Sequence, residues 1–212
     1  MSPVAARVRP SPVVRGLPFS GDDEQLLAAV RAGQAHATAE LVARYSRHVL
    51  RVLARILGRA SDLEDLHHDV FVRALSSIGA VREASAMSGW LTIIAVNVAR
   101  SAIAKRARSR WLWFLPPDEV PEQAAPVVAD EDVAALRATY RVLGRLGAEE
   151  RIVFALRIID GMEMADVASA CGVSLATAKR RMSRAESAFL RHAEREEVLE
   201  PWLKGGARWG RS

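Results

Sequence analysis

Cysteine is almost missing from this sequence: Cys171 is the only one in 212 residues. One thiol excludes an intrachain disulfide framework and fits a reducing cytoplasm. Among apolar neighbours it reads as a buried structural thiol rather than a reactive one. Aromatic residues are also scarce, at 6%. No segment approaches the roughly 20 apolar residues needed to cross a bilayer, so no membrane insertion is expected. The opening stretch, "MSPVAARVRPSPVVRGLPFS", holds three Arg and four Pro but no unbroken apolar core, which excludes a secretory signal. Strand-type alternation and internal repeats are absent as well.

Half the residues are hydrophobic and 26% are charged, a globular rather than a disordered composition. The formal charge of +5 and the pI near 10.1 favour nucleic acid over acidic small molecules as a partner.

The periodicity is helical almost throughout. "GDDEQLLAAVRAG" opens with acids suited to a helix N-terminus and ends at Gly33. In "AELVARYSRHVLRVLARILG", Leu41, Tyr45, Val49, Val52 and Ile56 recur at three- and four-residue spacing up to Gly58. Ser61 and Glu64 have the spacing of a capping box opening "SDLEDLHHDVFVRALSSIG". A stretch from Ile78 to Ser88 reads as a loop. "GWLTIIAVNVARSAIAKRARSR" is then helical, apolar at its start and basic at its end.

The composition changes at "LPPDEVPEQAAPVVADED", which has three Pro in its first seven residues and six acids without a base. It reads as a flexible linker. The organisation expected is therefore a disordered arm over 1–20, a helical domain over 21–114, the acidic linker over 115–132, a smaller helical domain over 133–193 and a mobile tail over 194–212. The fold class is all-α.

The smaller domain carries the clearest local signal. Met164 to Ala170 makes a short helix, "CGVS" a tight turn at Gly172, and Ser174 an N-cap for the next helix. Ala178, Met182, Ala185 and Phe189 then form an apolar stripe, which leaves Thr177, Lys179, Arg180, Ser183 and Arg184 facing outward. A short helix, a glycine turn and a second helix with a cationic outer face is the helix-turn-helix pattern. Arg and Lys on that second helix can meet phosphates or the acceptor edge of guanine.

The larger domain has two opposed faces. Leu63, Leu66, Val70 and Ala74 form a buried stripe, while Asp62, Asp65 and Asp69 share another side that continues toward Arg73. From Trp90 to Trp113 there are five basic residues and no acid, with Asn97, Arg100, Ser101, Lys105 and Arg108 along one side. An acidic helix beside a basic one suits a domain that holds a protein partner and a nucleic acid together.

"DLEDLHHDVFVRAL", "WLTIIAVNVARSAIAKRAR" and "LGAEERIVFALRIIDGMEMADVASACGVSLATAKRRMSRA" occur in this order around the linker. Together they resemble a bacterial extracytoplasmic-function sigma factor of the sigma-70 family, over roughly Asp22 to Arg191. The resemblance implies two small helical domains, a region 2 bundle and a region 4 helix-turn-helix. It implies RNA polymerase contacts at Asp62, Asp65, Asp69 and Arg73. Recognition and melting of the minus-10 promoter element would fall to the loop with Val81, Arg82 and Ser88, and to Asn97, Arg100, Lys105 and Arg108. Capturing an unpaired base there must offset an unstacking cost of a few kcal/mol. Ser174, Ala176, Thr177, Lys179, Arg180, Ser183 and Arg184 would lie in the major groove of the minus-35 element.

The partners implied are core RNA polymerase, promoter DNA and an anti-sigma factor; no cofactor, metal or catalytic residue is implied. Two departures stand out. Ile93 and Val96 occupy places where relatives often carry arginine, and Ser101 a place where aspartate is common.

Other readings compete. A helix-turn-helix regulator that never engages polymerase accounts for the second domain but leaves the acidic helix unused. "HHD" at 67–69 raises a metal phosphohydrolase using His68 and Asp69, which needs further His and Asp ligands nearby. The remaining histidines, His36, His48 and His192, offer no such pattern. "WLWFL" at 111–115 suits core packing at the end of the first domain or, alternatively, anti-sigma docking.

Overall fold

The computed structural model of the protein describes residues 19, 21–58, 60–113 and 130–204; for 109–113, 130, 131 and 202 it describes the backbone only. The expected linker up to residue 129, most of the N-terminal arm and the end of the tail lie outside the described residues.

Helix α1 (Asp23–Arg31) starts from a reciprocal cap: Gln25 N donates to Asp22 Oδ1 at 2.8 Å and Asp22 N to Gln25 Oε1 at 3.3 Å. Just ahead of it Phe19, expected in the disordered arm, instead packs with its ring centroid 6.0 Å from that of His36. Helix α2 (Ala35–Leu57) buries Leu41, Tyr45, Val49, Val52 and Ile56, the stripe read from the sequence. It ends at Gly58, whose φ of +72° suits glycine. A Cβ there would also come within 2.9 Å of the Tyr140 ring.

Helix α3 (Leu63–Ser76) does not open with the expected capping box. Ser61 sits one residue too early, the N-cap position is Asp62, and no side chain caps the helix. Asp62 pairs instead with Arg106, because an oppositely charged guanidinium is a stronger partner for a carboxylate than a backbone N–H. Val70 and Ala74 are buried as expected, Phe71 joins them, and Leu63 and Leu66 are half-buried against the core.

Helix α4 (Met87–Trp113) begins two residues before Gly89 and runs through the middle of the molecule. Leu91, Ala95, Val98 and Ala102 form one buried stripe, and Thr92, Val96, Ala99 and Ile103 a second beside it. Apolarity round most of a helix means burial on more than one side. α4 indeed packs on α2 and α3 and also on α6 and α7. Its segment Ala84–Arg108 is long and apolar enough to cross a membrane by length and composition, contrary to the sequence reading, and half of that apolar window is buried inside the protein.

The rest of the chain forms α5 (Asp130–Leu143), α6 (Ala148–Phe154), which widens into a π-helical turn at Ala155–Ile159, α7 (Met164–Cys171) and α8 (Leu175–Ala193). α5 begins inside the stretch expected to be linker. Ala138, Val142, Ile152, Leu156 and Phe189 are buried between these helices, and the Phe154 and Phe189 rings stack at 4.6 Å. Each such aliphatic side chain contributes about 1.5–3 kcal/mol when fully buried. Beyond α8 the expected mobile tail is packed up to Lys204. Glu196 pairs with Arg141 at 2.8 Å and Arg145 at 3.2 Å, Leu199 is buried, and α9 (Glu200–Lys204) follows.

Candidate polymerase and promoter interfaces

The acidic face of α3 survives in part. Asp65, Asp69 and Arg73 are exposed, whereas Asp62 is half-buried and held by Arg106. The histidines beside them part company. His68 is exposed, while His67 lies 2.8 Å from Ser46 Oγ and edge-on to Phe71 at 4.9 Å. Burial, with the neighbouring His68 charge, pulls the His67 pKa below its ordinary value. Among the described residues, no three His, Cys, Asp or Glu side chains gather as metal ligands.

The loop from α3 to α4 contains two short 3-10 turns, Ile78–Ala80 and Ala84–Ala86. Val81, expected to touch DNA, is only 3% exposed and belongs to the core with Ala84 and Met87. This corrects the expectation: an isolated β-branched apolar residue in a polar loop gains more from burial, and here it anchors the loop. Arg82 and Ser88 are exposed as expected.

Two residues that the sequence reading passed over pin this loop. Glu24 of α1 accepts the Ala84 N–H at 2.9 Å. His48 Nε2 lies 3.1 Å from Ser88 O and 2.9 Å from Thr92 Oγ1. Ser88 O can only accept, and the Thr92 hydroxyl already donates to it at 2.9 Å. The proton on His48 is therefore on Nε2, which donates to both. No local signal marks these contacts, since they join residues 60 and 40 positions apart.

Along α4, Asn97, Ser101, Lys105 and Arg108 are exposed. Arg100 is not free: its Nε donates to Glu149 Oε1 at 2.6 Å, its Nη1 to Asn97, and its Nη2 to the Cys171 carbonyl at 3.4 Å. The expectation of a continuous open basic face is corrected at this residue. Glu149 is shared, because Arg181 of α8 pairs with its other oxygen.

The helix-turn-helix is built as read. Gly172 adopts the left-handed conformation at φ +67°. Ser174 Oγ accepts the Thr177 N–H at 3.2 Å and donates to Thr177 Oγ1 at 3.0 Å. Ala178, Met182, Ala185 and Phe189 are buried; Ala176, Lys179, Arg180, Ser183 and Arg184 are exposed, and Thr177 is half-buried by its cap. Arg145, Arg184, Arg191 and His192, with Ser183 and Ser187, line a groove beside this cationic face. Cys171 is buried behind the turn, and burial pushes its thiol pKa up, as a structural thiol requires.

A cationic recognition helix on one side and an acidic helix with a pinned loop on the other is the layout of a DNA-binding protein that also docks a protein. The comparisons agree. The chain matches the Sigma-70 region 2 model over residues 41–109 and the Sigma-70 region 4 model over 136–189. It is 34% identical over 172 residues to the ECF RNA polymerase sigma factor SigM of Mycobacterium tuberculosis, covering 80% of this chain and 83% of that one. It is 26% identical over 202 residues to the RNA polymerase sigma-H factor of Pseudomonas aeruginosa, covering 86% and 96%.

Two solved structures share the fold. One is CnrH in complex with the cytosolic domain of CnrY, at 22% identity and TM-score 0.53, covering 87% and 99%. The other is the sigma factor RpoE of Bartonella quintana with the anti-sigma factor NepR, at 21% and 0.54, covering 81% and 95%. The chain belongs to the extracytoplasmic-function sigma factors of the sigma-70 family. It is a transcription initiation factor that directs RNA polymerase to promoters.

Proposed function

We propose that the residues of these surfaces divide promoter recognition as follows. Asp65, Asp69 and Arg73 on the exposed side of α3 contact core RNA polymerase, and Asp62 supports them by fixing α3 to α4 through Arg106. Arg82 and Ser88 on the pinned loop meet the minus-10 element, and Asn97, Lys105 and Arg108, joined by Arg100 once released, meet its strand and phosphates. Ser174, Ala176, Thr177, Lys179, Arg180, Ser183 and Arg184 engage the minus-35 major groove. The groove with Arg191 extends that cationic surface toward flanking phosphate.

We assign residues 21–114 to polymerase and minus-10 binding and 133–193 to minus-35 binding, joined by 115–132. The protein acts in the cytoplasm by binding rather than catalysis, and an anti-sigma protein is a further partner, as in the two structural neighbours. The observation that carries the reading is the recognition helix, with its buried stripe and its exposed Lys179, Arg180 and Arg184 on one rigid element.

In vitro transcription with core polymerase on a library of genomic promoter fragments tests it. Transcripts sharing a pair of upstream elements, lost with the core-contact variants, are the expected result. An absence of chain-dependent transcripts overturns it.

A further inference from the structure

We propose that in the free protein the helix-turn-helix half is the partner that covers the promoter-facing side of α4, with Glu149 as the latch. The meaning of that cover rests on the minus-10 reading above; its existence does not.

The first seam lies on α4. Glu149 holds Arg100 by one oxygen and Arg181 by the other, so one carboxylate neutralises a cation from α4 and a cation from the recognition helix. Arg100 is tied further to the Cys171 carbonyl at the helix-turn-helix corner. On Arg100's side of α4, four residues before it and three after, Val96 and Ile103 are buried, and α4 packs there against α6 and α7. An apolar side chain at 96 suits a docking face better than a surface open to a nucleic-acid strand.

The second seam lies at the end of α2. There Arg151 reaches the Ile56 carbonyl at 2.8 Å, Tyr140 OH donates to the Ala54 carbonyl at 3.2 Å, and the Tyr140 ring closes over Gly58.

The consequence for binding is direct. A guanidinium held by Glu149 cannot meet a phosphate, and a strand tracking past Lys105 and Arg108 runs into α6 and α7. Both Glu149 pairs are about a third exposed, so water and salt screen them and the closure is reversible. Polymerase can open it by separating the two halves. A ligand that binds one conformer shifts the population toward it.

The test uses the full chain without polymerase. Small-angle scattering reads compactness, and titration with a single-stranded minus-10 oligonucleotide reads access. Glu149→Ala leaves Arg100 and Arg181 facing each other unscreened. It should expand the chain and tighten oligonucleotide binding about tenfold, the gain when a competent state rises from a tenth of molecules to nearly all. Glu150→Ala removes the same charge one position away and should leave both readings at the wild-type values. Tyr140→Phe, which keeps the ring and drops one bond to α2, should expand the chain partially with Arg100 still latched.

The closure is overturned by an already expanded wild-type chain, by a Glu149→Ala chain that stays compact, or by equal effects of the two alanine variants. Loss of oligonucleotide binding in every variant, with scattering as expected, keeps the closure and overturns the minus-10 reading instead.

Discussion

Arg151 Nε donates to the backbone carbonyl of Ile56 at 2.8 Å, and the arginine is buried. The bond spans 95 positions and uses one of the orphan carbonyls at the C-terminal end of α2. Arg151→Met keeps most of the volume and removes the donor. It should lower stability by about 1–3 kcal/mol, the usual penalty for a buried acceptor left unsatisfied. Urea unfolding monitored by circular dichroism checks this, and an unchanged midpoint removes Arg151 from the interface account.

Asp65 and Asp69 are exposed and carry no structural bond in the described residues, whereas Asp62 is paired. Asp65→Lys with Asp69→Lys should abolish binding to core polymerase in a pull-down while leaving helicity and unfolding unchanged. Asp62→Ala should instead lower thermal stability slightly, by up to about 1 kcal/mol for a partly exposed pair. If the double variant binds core normally, α3 is not the docking helix.

Lys179, Arg180 and Arg184 project away from the buried Ala178, Met182 and Ala185. Replacing all three with Ala should destroy minus-35 binding and spare core binding. Each lost phosphate contact lowers the salt slope by about 0.9, and a lost guanine reader costs about 1–3 kcal/mol at one promoter position. We expect Arg180 to read and Lys179 to contact phosphate. Unaltered promoter choice and salt dependence in the triple variant would reduce the cationic face to a solvated surface.

Glu24 accepts from Ala84 in the loop proposed to meet the minus-10 element. Glu24→Ala should release a bond of about 1.5–3 kcal/mol and cut open-complex formation roughly tenfold, with minus-35 and core binding intact. Glu24→Gln keeps an acceptor and should fall between. Permanganate reactivity of melted thymines is the readout; equal melting by all three proteins removes Glu24 from loop positioning.

His67 has its pKa lowered from 6.5, mainly by burial. Above pH 6.5 the ring is neutral in both folded and unfolded chains. As the pH falls past that value the unfolded chain takes up the proton first, so stability is lost until the lower folded pKa is passed. His67→Gln, which can still bond Ser46, should lose less stability between about pH 7.5 and 5.5. Denaturation midpoints at the two pH values decide it; parallel losses in both proteins mean that His67 does not contribute.

The two ends of the molecule show what a sequence can and cannot specify. The helix-turn-helix was legible because every determinant is local. The Gly172 turn, the Ser174 cap and the Ala178–Met182–Ala185–Phe189 stripe each depend on residues within about three turns of one another. The α2 stripe was legible for the same reason, and so was the family to which the local motifs belong.

Tertiary structure decided the rest, through groups far apart in the chain competing for the same atoms. Ser61 lost its capping role when Arg106 drew Asp62 aside, and Val81 turned into the core against the polar pattern of its loop. The tail was fixed by Glu196 between Arg141 and Arg145. Arg100 looked like one more cation on a basic helix until Glu149, 49 positions away, took hold of it. A charged side chain's partner is set by which carboxylate the fold brings within reach, and spacing along the chain carries no record of that.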